Sequence, residues 1–125
     1  MSDIVIDVWL YGDLRFYGGE ASQESFANLR IRLQEGCTIA GLLAYLKIPS
    51  EERGITFING QLSAMVGLHP DLGHVLREGD RVGIFDLKSM WPFQYRHGAG
   101  MTEEMTHAVA TGGDKGLHHS YEKRE

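Results

Sequence analysis

Any chemistry in this 125-residue chain would have to come from a short set of side chains. Four of the six histidines, His97, His107, His118 and His119, fall late in the chain. Imidazole is a common metal ligand. No cysteine stands near these four, however, and no His-x-x-x-His pair lines one helix face. His118-His119 reads as a solvated tail, and no metal site is expected. Cys37 sits where a helix should begin, and a helix dipole can lower a thiol pKa. No His/Asp arrangement accompanies it, so it reads as a core or surface thiol. Asp3, Asp7 and Asp13 read as strand-edge acids, and Glu51-Glu52-Arg53 as a solvated charge run. No glycine-rich phosphate loop and no nucleophile elbow is present. No free-standing enzyme, no catalytic residue and no cofactor is expected.

Two late segments carry more information. Met90 to His97 holds Trp91, Phe93 and Tyr95, with Arg96 beside them. Clustered aromatics are costly to expose, and aromatics with arginine dominate binding hot spots. Three uses fit: an anchor for a partner, a self-association surface, or a strip folded over an open sheet face to bury apolar area. Thr102 to Thr111 reads as a short helix, with Thr102 as its N-cap and Glu103 and Glu104 in its first turn. Gly112-Gly113 then serves as an ordinary helix stop or linker.

The elements that must position these residues precede them. Ile4, Ile6, Val8 and Leu10 alternate with Val5, Asp7, Trp9 and Tyr11, which argues a first strand. Phe26 to Leu33 alternates likewise, with Asn28, Arg30 and Arg32 on the solvated side. Thr38 is a candidate N-cap. Ile39, Leu42, Leu43 and Leu46 form one helical stripe, and Pro49 limits that helix. Ile55 to Ile58 reads as a third strand. Asn59-Gly60 is a type I′ hairpin signal, with Gln61 to Met65 as the return strand. Residues 66–75 read as a loop. Leu76 leads into the Gly79-Asp80 turn, and Arg81 to Leu87 is the last strand. Hairpin, helix, then further strands predicts an α+β roll, a mixed sheet of four to five strands crossed by one main helix. That is the β-grasp, or ubiquitin-like, arrangement.

Four motifs in this order resemble the MoaD/ThiS-like sulfur carriers. They are Tyr11-Gly12-Asp13-Leu14-Arg15, the helix from Thr38 to Pro49, Phe57-Ile58-Asn59-Gly60, and Leu76 to Phe85 around Glu78-Gly79-Asp80. The resemblance covers about residues 4–88 and implies a protein that acts through partners. In that family an adenylating enzyme activates a C-terminal Gly-Gly carboxylate, and the resulting thiocarboxylate delivers sulfur to an accepting enzyme. Two glycines without side chains can thread a narrow channel, in the manner of an extended tail docking in a groove. Here the pair is Gly112-Gly113, so a carrier end at Gly113 implies trimming of Asp114 to Glu125 by a processing metallopeptidase. The alternative is a β-grasp interaction or assembly module that binds itself or an enzyme through residues 90–97.

Composition bounds the setting. Hydrophobic residues make up 42% and charged residues 23%, as in ordinary globular domains. The net charge of −5 argues against nucleic acid or an acidic membrane as partner. One cysteine excludes an internal disulfide and fits a reducing cytoplasm. The N-terminus lacks a signal peptide's pattern, and no apolar run is long enough to span a bilayer. The expected division is a β-grasp domain over residues 1–88 and an extension over 89–125. That extension comprises an aromatic segment at 90–97, a short helix at 102–111 and a polar tail at 112–125.

Overall fold

The structure is a computed structural model, and it describes residues 2–88 and 100–110. Among the described residues, five strands and two α-helices are formed: β1 (Asp3–Tyr11), β2 (Phe26–Gln34), α1 (Ile39–Leu46), β3 (Arg53–Ile58), β4 (Gln61–Ala64), β5 (Arg81–Asp86) and α2 (Glu103–Ala108). Stretches of 3-10 helix cover Gly12–Ala21, Ser50–Glu52 and Pro70–Gly73. The sheet order is β2-β1-β5-β3-β4. The central pair, β1 and β5, is parallel, and every other neighbour is antiparallel. The chain is therefore α+β with a mixed five-stranded sheet. Among the described residues no helix is long and apolar enough to cross a membrane.

The core lies on one face of the sheet. Alternation sends Ile4, Ile6, Val8 and Leu10 inward from β1, opposite Val82 and Ile84 of β5. α1 meets them with Ile39, Leu42, Leu43 and Leu46, the whole predicted stripe. The Thr38 hydroxyl caps that helix by accepting from the Gly41 N–H at 3.3 Å. α1 stops earlier than Pro49 requires, because Lys47 turns left-handed at φ 64°. The Asn59-Gly60 turn has positive φ at both residues, 52° and 83°, and joins Ile58 directly to Gln61. A β-branched side chain is strained there, so Gly60→Val should cost roughly 1–2 kcal/mol. A fall in the urea midpoint at unchanged slope is the expected readout.

Two expectations need correction. Arg53 does not belong to a solvated charge run. Glu51 and Glu52 are exposed, but Arg53 is fully buried and begins β3 two residues before the predicted start at Ile55. Its guanidinium grips Asp71 with two bonds, Nη1–Oδ2 at 2.8 Å and Nη2–Oδ1 at 3.0 Å. Residues 66–75 are not a plain connecting loop either. The Pro70–Gly73 turn carries Asp71 into the interior, where the Ser63 hydroxyl also donates to it at 3.0 Å. A buried charge needs a partner, and this pair supplies it across 18 residues of sequence.

Candidate functional site

The sheet face turned away from α1 is aromatic. Residues of opposite parity to the core, Trp9 and Tyr11 of β1, Phe26 of β2, Phe57 of β3 and Phe85 of β5, are all half-buried on it. Tyr11 and Phe85 stack at 4.3 Å between ring centres, Trp9 lies 5.5 Å from Phe26, and Phe57 meets Phe85 edge-on at 6.3 Å. Such pairs each add about 0.5–1.5 kcal/mol beyond their buried area.

A groove of about 400 Å³ runs through this layer, lined by Trp9, Tyr11, Phe57, Arg81, Gly83 and Phe85. Its floor follows from one residue. Gly83 pairs with Trp9 on one side and Phe57 on the other. With no side chain at that central position, the flanking rings become walls. Arg81 closes one end, 3.6 Å from the Asp7 carboxylate. Burial pushes the Asp7 carboxyl upward, but hydrogen bonds from Asn28 and Trp9, with the Arg81 and Arg30 charges, hold it below its ordinary value. Burial raises the Tyr11 phenol above its ordinary value. The groove is an apolar slot with one ionic end.

A second feature lies at the β4 edge. Residues 100–102 run parallel to β4, with the Leu62 N–H donating to the Gly100 carbonyl at 2.8 Å and the Thr102 N–H donating to the Leu62 carbonyl at 3.0 Å. The Thr102 hydroxyl caps α2 by accepting from the Met105 N–H at 3.2 Å. That matches the predicted cap and the helix start of the extension, and Met105 is fully buried. The extension is thus fastened to the domain at residues 100–110. His74 on the domain meets Glu104 on α2 at 3.0 Å. Burial raises the Glu104 carboxyl, but the His74 bond and charge and the helix-start donors outweigh it and leave the pKa lowered. A carboxylate held below its unfolded value stabilises the docked helix above that value and loses the effect as pH falls. Undocking of α2 should therefore ease as pH drops through 4.5, the ordinary glutamate value, and below it. Amide exchange at Thr102 and Leu62 would report this, and a pH-independent rate of opening would contradict it.

The predicted site residues divide. Trp91, Phe93, Tyr95, Arg96, Gly112 and Gly113 all lie outside the described residues, as do His97, His118 and His119. His107 is on α2 and exposed. Among the described residues no group of three or more His, Cys, Asp or Glu is placed to hold a metal. Cys37 is half-buried against the core, its Sγ lying where a side chain on Gly41 would sit. Three features escaped sequence reasoning: the Arg53–Asp71 pair, the His74–Glu104 contact and the groove. The first two join residues 18 and 30 apart with no motif between them. The groove was readable in part, since Trp9 and Tyr11 already fell opposite the core face of β1. Compared with protein-family models and with curated proteins, the chain finds no match in either.

Proposed function

We propose that this chain is a β-grasp protein of the MoaD/ThiS kind, a cytoplasmic sulfur carrier whose chemistry is done by partner enzymes. The observation that supports it most is the sheet order β2-β1-β5-β3-β4, with a parallel central pair and one main helix across it. The four carrier-like motifs sit at the joints of that arrangement: the exit from β1, the cap of α1, the β3–β4 turn and the turn into β5. In this reading a metallopeptidase hydrolyses the Gly113–Asp114 bond. The freed Gly113 carboxylate attacks the α-phosphorus of ATP on an adenylating enzyme, and pyrophosphate leaves. A sulfide donor then displaces AMP and leaves a thiocarboxylate for the accepting enzyme. Gly113 lies three residue steps beyond Ala110, the last described position, a reach of at most about 10 Å. The partner's active site must then come close to α2. A chain ending at Gly113 should support ATP–pyrophosphate exchange on the host's adenylating enzyme, and one ending at Glu125 should not. Equal exchange from both, or none from either, counts against the carrier reading.

The fastening of residues 100–110 favours a second reading. An extension tied to β4 and sealed by Met105 suits an interaction or assembly module that presents residues 90–97 to itself or to an enzyme. Truncation after Lys88 should then abolish the complex, and a complex that survives would reject this reading.

A further inference from the structure

A glycine inside a strand needs a reason, because it weakens the strand. Gly54 of β3 has one: a side chain there would collide with the Asp86 carbonyl oxygen. Gly83 of β5 has none of the usual ones. Its φ is not left-handed, so its backbone suits other residues. It is not at a bulge, since it pairs in continuous register with Trp9 on β1 and Phe57 on β3. Among the described residues, a Cβ on Gly83 would meet one atom, Tyr11 Cε2, at an ordinary 3.7 Å. The fold does not require a glycine at this position, but the groove does.

Register and parity set out the shape of that groove. Trp9, Gly83 and Phe57 form one row across three strands. Arg81 and Phe85 flank Gly83 along β5, one pleat repeat away on the same face. Trp9 and Phe57 stand two strand spacings apart, about 9.6 Å. A ring set midway lies about 4.8 Å from each wall, inside the range of about 4.5–7 Å that aromatic pairs adopt. The groove's volume of about 400 Å³ is also that of a small-ligand site.

Charge decides what the ring must carry. The Arg81 side chain, 70% exposed, heads the groove. Its Nε lies 3.6 Å from Asp7 Oδ2, too far for a hydrogen bond. Among the described residues its two Nη groups donate to no acceptor. The Asp7 carboxylate already accepts from Asn28 Nδ2 at 2.7 Å and from Trp9 Nε1 at 3.1 Å, and it feels the Arg30 charge as well as that of Arg81. Two guanidinium charges thus act on one carboxylate. The Arg81 fork, suited to holding a carboxylate by two bonds, is left over at the groove's end. It springs from the backbone about 6.6 Å along the strand from Gly83. A carboxylate joined to a ring by one bond or one methylene spans that offset with the arginine's own reach.

We propose that the groove binds a small single-ring aromatic carboxylate, with its ring over Gly83 between Trp9 and Phe57 and its carboxylate on the Arg81 guanidinium. This goes beyond both functional readings and depends on neither.

Benzoate, titrated into the full chain at a concentration where sedimentation shows a monomer, tests the proposal. Saturable amide shifts centred on Trp9, Phe57 and Gly83 are expected. Benzamide keeps the ring and loses the charge, and should bind about ten-fold more weakly. Cyclohexanecarboxylate keeps the charge and loses the π face, and should bind several-fold more weakly. Arg81→Gln should bring benzoate down to the benzamide level and leave benzamide unchanged. Gly83→Val, a strong strand former where a Cβ has room, should keep the fold and abolish binding of both. An absence of saturable shifts overturns the proposal. So do equal affinities for benzoate and either analogue, or unchanged benzoate binding in Arg81→Gln or in folded Gly83→Val. If Gly83→Val does not fold, the Arg81→Gln comparison decides. Shifts at the same residues that grow with protein concentration in the absence of benzoate overturn the proposal in favour of a second copy.

Discussion

Asp71→Ala should lower stability by about 3–5 kcal/mol, the largest single effect expected outside the apolar core. Arg53 and Asp71 are both fully buried. Losing the carboxylate leaves a guanidinium whose remaining described partners are hydroxyls: Ser50 at 3.1 Å and Thr56 at 3.5 Å. Neither carries compensating charge. Ser50 is itself engaged, because its hydroxyl meets His69 Nδ1 at 2.8 Å while it accepts from Arg53. Burial, helped by the Arg53 charge, lowers the His69 pKa. The whole node thus assumes one buried cation and one buried anion. Chemical denaturation should show the loss as a lower midpoint with an unchanged slope. The double change Arg53→Met/Asp71→Leu should recover most of it, since apolar replacements of buried pairs are often neutral. A single Asp71→Ala loss below about 1 kcal/mol would mean that the pair is hydrated like a surface bridge.

Met105→Ala comes next, at about 2–5 kcal/mol for a fully buried methionine. Here the cost has a ceiling. α2 is six residues long and joins the domain through β4, the Pro70–Gly73 turn and the His74–Glu104 contact. Once the helix detaches, further weakening of its contacts no longer affects the five-stranded domain. A local opening of this sort has its own, lower free energy. Exchange at Leu62 and Thr102 should therefore accelerate more than exchange at Val8 or Ile84 in the central strands. Uniform acceleration throughout would show that α2 is part of the cooperative core. The distinction bears on the proposed carrier function, in which a helix that detaches alone would lengthen the arm leading to Gly113.

The elements that the sequence made legible are those with local causes. Alternation in β1 and β2, the stripe of α1, the Thr38 and Thr102 caps and the Asn59-Gly60 turn each depend on neighbours a few residues apart. Arg53 was misread because an arginine after two glutamates ordinarily stays solvated. Its burial follows from Asp71, which the Pro70–Gly73 turn brings in from another part of the chain. The groove was half legible for a related reason. Parity placed Trp9 and Tyr11 away from the core, but only the register that sets Gly83 between Trp9 and Phe57 makes a slot of them. His74 and Glu104 meet because α2 returns to the domain, which no local pattern in either segment encodes.

As the proposed carrier, this protein acts through a C-terminal glycine end activated by partner enzymes. Intact-mass measurement of the chain isolated from its native host tests it most directly. The expected result is a species ending at Gly113, accompanied by one heavier by the difference between a sulfur and an oxygen atom. Only chains that still carry Asp114 to Glu125, from cells making an adenylating enzyme and its sulfur donor, would contradict it.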